Sequence, residues 1–298
     1  ELPEVQTVVH DLNRKIIGRR ILRFWSDWPR AVKHPSFPQF TREIRGAKIV
    51  KVSRRAKNIL IHLKLKRENS EHLLLIHQKM TGHLLVGKWR IMSQGHRQRA
   101  ISVLRGPLGD KVNEYVHHIF YLSDGRMLGF SDVRKFGKIV FGPEREIELS
   151  SHLSAIGPEP LKNSLSPEKF RDILIGGRRK IKQVLMDQGR IAGIGNIYSD
   201  EILFAAKVHP SRRANGLSAR EYRAIYKETR SILKKAIKLR GTSISDFRDT
   251  SGRRGRYGEK RLIYGREGLS CLLCKKPIKR IKIGSRSAHF CPNCQRFK

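Results

Sequence analysis

Cysteine is absent from the first 270 residues of this 298-residue chain. That speaks against a small disulfide scaffold, whose bridges are spread through the sequence. Acidic residues are scarce too: 26 stand against 63 lysines and arginines, a formal net charge of +37. Such an excess is too large for a neutral scaffold and favours a polyanion as partner. Long apolar runs are missing as well. None approaches the ~18 residues of a membrane span, and no signal-peptide pattern opens the sequence. An anionic membrane surface would also want a basic amphipathic anchor, so no membrane partner is expected and nucleic acid leads. With 39% hydrophobic residues the chain is no disordered basic tail, and its length allows two cores. Charge alone fits a ribosomal or architectural protein equally well.

All four cysteines lie in the last 28 residues, as Cys271-Leu-Leu-Cys274, sixteen residues, then Cys291-Pro-Asn-Cys294. Two C-x-x-C knuckles at this separation can close four thiolates around one structural Zn2+. Basic and turn-forming residues fill the interval, which suggests a short β-hairpin clamped by metal. Two disulfides in a secreted domain are the alternative.

In chain order, residues 1–17 read as a helix. Pro3 suits its first turn, Val5, Val8, Val9, Leu12 and Ile16 form one apolar stripe, and Gly18 ends it. Strand patterns follow at 21–25, 48–52, 58–65, 72–77, 83–89, 100–104, 117–122, 127–129 and 138–141, several alternating apolar and polar residues. Asp124-Gly125 is a hairpin turn signal. Many short strands imply a β-sandwich or barrel. The interval 142–165 reads as a linker. Helical periods then appear at 167–175, at 180–188 and from about 196 to 206. Ser218 with Glu221 makes a capping box for a long helix ended by Gly241. Residues 252–261 carry five basic residues among glycines and read as a mobile loop reaching nucleic acid.

Some residues carry chemistry. The glycine-punctuated turn 189–196 ends at a helix N-terminus, where converging N–H groups and the helix dipole suit a phosphate. Asn196 can add a donor, with Arg178 and Lys182 one helix earlier. The alternative is a tight helix hairpin and nothing more. Lys57, after Arg54-Arg55-Ala56, stands at a strand start, where lysine usually marks a solvated end. Met80 and Phe136 alone would be core residues. Placed on turns and flanked by Arg134 and Lys135, they can instead be wedges that enter a base stack when a nucleotide is flipped out.

These stretches together resemble the bacterial formamidopyrimidine-DNA glycosylases. The match runs through Glu1-Leu-Pro-Glu-Val5, the segment ending at Lys57, Met80-Thr-Gly82, Asp132-Val-Arg-Lys-Phe-Gly137 and Gly157-Pro-Glu-Pro-Leu161. It continues through Leu185-Met-Asp-Gln188, Ala192-Gly-Ile-Gly-Asn-Ile-Tyr198 and the four-cysteine finger, in family order over the whole length. The resemblance implies an α+β multidomain protein. An N-terminal helix and antiparallel β-sandwich would fill 1–141, a linker 142–165, a helix–two-turn–helix domain 166–265 and a zinc-finger β-hairpin 266–298. It implies a cytoplasmic, nucleoid-associated monomer acting on double-stranded DNA with a damaged base. Its activity would be excision of 8-oxoguanine and formamidopyrimidines, then β,δ-elimination at the abasic site.

The family's nucleophile is an N-terminal proline, expected immediately before Glu1 with a methionine ahead of it. The chemistry is sound: an α-amine titrates near ~8 against ~10.4 for lysine, so more of it is neutral at pH 7. By position, Glu1 would be the acid/base beside that amine, and Glu4 a second acidic group. Lys57 would hold a phosphate near the lesion and help elimination, and Arg286 would grip phosphates around the flipped nucleotide. Met80, Arg134 and Phe136 match the trio that fills the vacated space, with Arg134 facing the orphaned cytosine. Residues 250–257, with Arg253, Arg254 and Tyr257, match the loop that closes over the everted base. No role is assigned to His117 or His118. Two other readings stand beside this one: an endonuclease VIII-like enzyme for oxidised pyrimidines, against which the full trio argues, and a non-catalytic binder of damaged or abasic DNA if the proline is absent.

Overall fold

The apolar stripe read in the first residues is the spine of one of two units. Helix α1 (Leu2–Lys15) buries Val5, Val8, Val9 and Leu12, and Ile16 just beyond it, in a core shared with two sheets. The computed structural model describes residues 1–65, 70–94, 97–176, 178–244 and 246–297. The chain divides into a unit of Glu4–Ser154 with Arg240–Arg256, and a unit of Glu1–Pro3, Ala155–Leu239 and Tyr257–Lys298.

In the first of these, which we call the sandwich unit, one sheet runs in the order β1 (Ile21–Ser26), β9 (Val116–Leu122), β10 (Met127–Ser131), β6 (His83–Gly87). The other runs β2 (Val32–His34), β11 (Lys138–Pro143), β5 (Glu71–His77), β4 (Asn58–Lys64), β3 (Lys48–Arg55). Only the β2–β11 pairing is parallel among them. Phe24, Phe120 and Phe130 from one sheet and Ile61, Ile76 and Phe141 from the other belong to one core, which makes this a sandwich.

The strand expected over 83–89 is two. β6 keeps its register with β10 as far as Gly87 opposite Met127. The chain then turns at Lys88 into β7 (Trp89–Gln94), which pairs with β8 (Arg97–Ser102) in a separate ribbon. The break lets the Trp89 ring pack with Leu85, Ala100, Val116 and Ile119. Strand β2, helix α2 (Phe37–Glu43) and helix α3 (Glu144–Leu149) are additional to the elements read from sequence. Each is too short to show a period.

The second, helical unit packs α4 (Pro167–Ile175), α5 (Ile181–Met186), α6 (Asn196–Ala205) and α7 (Ala219–Lys238) around Phe170, Leu185, Tyr198, Ile202 and Leu233. The predicted capping box at Ser218 and Glu221 starts α7. A hairpin of β12 (Lys279–Ile283) and β13 (Arg286–Phe290) carries the cysteines at its base, and Cys271 and Cys291 pack with Phe204 and Ile278. Among the described residues, no helix is long and apolar enough to cross a membrane.

Candidate nucleic-acid interface

In the sandwich unit, the turns β5–β6 and β10–β11 bring Met80, Arg134 and Phe136 together. Met80 is 55% and Phe136 51% exposed. The Arg134 guanidinium lies 4.7 Å from the Phe136 ring centroid and 3.4 Å from Met80 Sδ. Lys135 beside them is exposed, with a φ of +55°. One buried carboxylate organises both turns. The Thr81 hydroxyl donates to Asp132 Oδ1, Gly137 N–H donates to Asp132 Oδ2 at 2.7 Å, and Arg134 N–H donates to Thr81 Oγ1 at 3.1 Å. Sequence reasoning quoted Asp132 within a motif and missed this role.

Lys57 is half-buried in the two-residue turn between β3 and β4, after Ala56 at φ +52°. Glu4 is buried in α1 and accepts Thr242 N–H at 2.7 Å. A Cβ on Gly241 would lie 3.0 Å from the Glu4 side chain, and the glycine's φ is +77°. The segment carrying Arg253 and Arg254 is pinned at its root. Asp249 Oδ1 accepts the N–H groups of Ser251 and Arg253, and Arg240 bridges Asp249 and Asp11 at 2.7 and 2.6 Å. Lys15 donates to the hydroxyls of Thr250 and Ser251. Arg253 and Arg254 themselves are exposed.

In the helical unit, the glycine-rich turn leads into α6 as read from sequence, but its N–H groups serve a side chain of the chain itself. Glu1 Oε1 accepts from Ile197 N–H at 2.9 Å and Oε2 from Tyr198 N–H at 3.3 Å. A Cβ on Gly195 would stand 2.2 Å from the Glu1 carboxyl carbon, so only glycine admits this approach. Leu2 N–H donates to Gly193 O at 3.0 Å. Asn196 donates to the Tyr264 hydroxyl at 3.4 Å, and both line a pocket of about 450 Å³ together with Arg286, which is exposed on β13. Arg178 is exposed, whereas Tyr257 is buried against Tyr198.

Lys182 is only 1% exposed, and its ammonium donates to Asp200 Oδ1 at 2.5 Å. Burial pulls its pKa below the ordinary lysine value, and Asp200 opposes the shift. Asp200 Oδ2 accepts the backbone N–H of His289 at 2.8 Å and lies 3.0 Å from its Nδ1, so one carboxylate ties α5 and α6 to the hairpin strand that carries Arg286. The next residue, Glu201, is fully buried and accepts the N–H groups of Leu262, Ile263 and Tyr264. Neither acid was singled out from sequence, though two adjacent carboxylates set among Ile197, Tyr198, Ile202, Leu203 and Phe204 were the available signal.

The four cysteine sulfurs lie within 4.8 Å of one another. Cys274 and Cys291 Sγ are 3.4 Å apart, Cys271 and Cys294 3.9 Å. Disulfide sulfurs would stand about 2 Å apart, whereas thiolates at ~2.3 Å from a tetrahedral zinc are separated by roughly 3.8 Å. The arrangement fits a metal and not a pair of disulfides. Asn293 and the Lys276 backbone lower the Cys274 thiol to about 6, while burial raises Cys291 and Cys294.

Comparison with known proteins gives this arrangement a family. The formamidopyrimidine-DNA glycosylase N-terminal domain model matches residues 1–139, its H2TH domain 156–248, and the zinc finger found in FPG and IleRS 268–296. The formamidopyrimidine-DNA glycosylase of Desulforamulus reducens is 37% identical over 300 residues, covering 100% of this chain and 99% of that protein. Two crystal structures of Lactococcus lactis Fpg (MutM) superpose over 100% of both chains. One holds Fapy-dG-containing DNA (31% identity, TM-score 0.83) and the other DNA containing an oxidised pyrimidine (30%, 0.83). The chain belongs to the formamidopyrimidine-DNA glycosylase family. Its fold is the family's: a β-rich N-terminal domain, a helical H2TH domain and a four-cysteine finger.

Proposed function

We propose that this protein is a bifunctional base-excision-repair enzyme. It excises oxidised purines, 8-oxoguanine and formamidopyrimidines, from duplex DNA and then cuts the abasic strand by β,δ-elimination. The carrying observation is the exposed cluster of Met80, Arg134 and Phe136. Large apolar side chains gathered around a guanidinium on two rigid turns are what filling the space left by a flipped nucleotide requires. Arg134 then reads the orphaned base, and Lys57 and Arg286 hold phosphates. Lys135, Arg253 and Arg254 in the sandwich unit, and Arg178 and Asn196 in the helical unit, supply further DNA contacts, with Lys182 and Tyr257 buried beneath the helical unit's surface.

The nucleophile of this reading is the amine of a proline immediately before Glu1. It attacks C1′ of the damaged nucleotide as the base departs with a proton. Glu1 supplies the proton that opens the sugar, and Glu4 is a second acidic group at the start of α1. The resulting iminium withdraws electrons, so that loss of the C2′ proton expels the 3′ phosphate, and a second elimination expels the 5′ phosphate. Zn2+ on Cys271, Cys274, Cys291 and Cys294 would hold the hairpin that presents Arg286. We take the working form to be a monomer in the cytoplasm, associated with the nucleoid.

Borohydride trapping of the native protein on an 8-oxoguanine duplex, followed by peptide mapping, tests the reading. An adduct on a proline before Glu1 is expected. Retained binding to abasic DNA with no adduct would make the protein a non-catalytic binder. The neighbour with oxidised-pyrimidine DNA keeps a second specificity in play. Preferential incision of a thymine glycol duplex would favour it.

A further inference from the structure

The sandwich unit carries a second concave surface, independent of the proposed repair chemistry. It is a groove of about 990 Å³ between β1, α2 and the β9–β10 turn. Its mouth includes Gly125 and Arg126, at the start of β10. Arg134 and Phe136 follow the other end of that five-residue strand, roughly 17 Å away at ~3.3 Å per residue. Strand β1, the groove's wall, is also the sheet edge opposite β6. A molecule seated here leaves the wedge cluster free.

The groove pairs an apolar floor with a cationic rim. A bulge in β1 between Ile21 and Arg23 leaves Leu22 unpaired, and it projects with 49% of its surface exposed. Phe37 and Pro38 of α2 continue the apolar surface. Arg23, Arg42, Arg45 and Arg126 surround it. Arg126 is committed to the Lys15 carbonyl and to Asp124, which also binds Arg19 outside the groove. The Arg23 guanidinium carbon lies over the Tyr121 ring, 3.8 Å from its centroid. Arg42 and Arg45 are exposed and make no hydrogen bond or ion pair among the described residues. The one carboxylate on α2, Glu43, accepts from Gln39.

We propose that this groove docks an acidic peptide segment of a partner protein, with a bulky apolar residue on Leu22 and Phe37 and carboxylates on Arg23, Arg42 and Arg45. Charge complementarity selects the occupant. A second copy of this chain, at +37, is repelled. Single-stranded nucleic acid binds by stacking bases on successive open aromatic faces, and here the Tyr121 face is covered by Arg23 and Phe24 is 7% exposed, which leaves the half-buried Phe37, tilted against Phe24, as a single platform. A duplex backbone gains nothing from an apolar floor.

Fluorescence anisotropy tests the proposal with a labelled poly-aspartate peptide ending in Leu-Phe, against the same peptide ending in Gly-Gly. At physiological salt the Leu-Phe peptide should bind the wild-type protein at least about tenfold tighter than its control, a difference of about 1.4 kcal/mol. Leu22→Asp should remove that preference, and Arg42→Gln with Arg45→Gln should weaken both peptides, all with affinity for abasic DNA retained. Three results would overturn the proposal. One is no binding by the wild-type protein. Another is equal affinity for the two peptides, which would mark unspecific attraction to a basic surface. The third is an oligothymidylate that displaces the peptide and itself loses affinity in the variants.

Discussion

The two units solve the same problem with opposite materials. The sandwich unit is built on an aliphatic and aromatic core, and its candidate interface residues stand on exposed segments, with Asp132 gathering Met80, Arg134 and Phe136 and Asp249 rooting the segment of Arg253 and Arg254. The helical unit concentrates its buried charge at one helix, α6. Glu1 serves the start of α6, Asp200 ties Lys182 to His289, and Glu201 collects three successive N–H groups of the segment leading to the finger. In a chain with 26 acids against 63 basic residues, carboxylates are placed where they fix loops. In the sandwich unit such points pin turns and the segment after Arg240, because its strands are already held by packing. The cluster at the finger's base holds five buried residues among those described, two of them cysteines and one, Phe204, lent by α6, and so small a core needs more.

The largest test of that contrast removes the finger's proposed metal. For so small a hairpin the metal free energy, on the order of 10 kcal/mol, is folding free energy. Cys291→Ala should therefore abolish zinc content and DNA affinity together while the sandwich unfolds at an unchanged denaturant concentration. Metal analysis, DNA titration and denaturation followed through Trp25, Trp28 and Trp89 give the three readouts, since all the tryptophans lie in the sandwich unit. Undiminished DNA affinity without zinc would show that the Asp200 tie alone positions Arg286.

Asp132→Ala should act the other way round. It strands the buried Gly137 N–H and the Thr81 hydroxyl, at a cost of about 3 kcal/mol to the sandwich unit. It should also scatter the Met80–Arg134–Phe136 cluster, so that discrimination of the base opposite the lesion falls further than overall DNA affinity. An unchanged opposite-base profile would detach the wedge reading from the aspartate.

Acid separates the units by a smaller margin. His118 is fully buried, stacked on Phe24, and burial holds its pKa down to about 3; His77, also in the sandwich unit, is lowered to about 3 by the same cause. A folded pKa below the unfolded value of 6.5 means that the unfolded state takes up the proton first. The stability is complete above pH 6.5 and is lost as pH falls from 6.5 towards 3. At pH 5 each such histidine removes about 2 kcal/mol. His118→Phe should shrink the stability difference between pH 7 and pH 5 by about that amount, measured by urea unfolding at the two pH values. An unaltered difference would place the acid sensitivity elsewhere.

How far all this was legible depends on period and distance. Strands that alternate over five or more residues, and the helices of the H2TH domain, announced themselves through apolar spacing, and the four cysteines through their separation. Helix α2 did not, because seven residues opening on Phe37-Pro38 contain less than two turns of pattern. The break after Gly87 is set by the Trp89 ring and its distant partners Val116 and Ile119, which no local window contains. The same holds for the site. Exposed residues in motifs, such as Met80 and Arg134, could be named in advance. The burial of Lys182 could not, because it depends on Asp200, eighteen positions away, and on the hairpin strand beyond residue 285.

The smallest effect lies on the surface of the helical unit, where the sequence was most explicit. Ser218 Oγ accepts Glu221 N–H at 3.3 Å, and Glu221 Oε2 accepts Ser218 N–H at 2.7 Å, closing the capping box at the head of the twenty-residue α7. The Glu221 carboxylate also binds Arg212, so part of its work is shared. Ser218→Ala removes one acceptor from an exposed helix end where water can substitute, and should cost about 1 kcal/mol. Ser218→Gly should cost only a few tenths of a kcal/mol, about a third of that or less, because the backbone can still turn and be solvated there. Both are measured by urea unfolding at pH 7. The ordering matters more than the size. A loss in Ser218→Ala approaching that of Asp132→Ala would mean that a solvated cap in the helical unit carries as much stability as a buried carboxylate in the sandwich unit, and the contrast between the two units would fail.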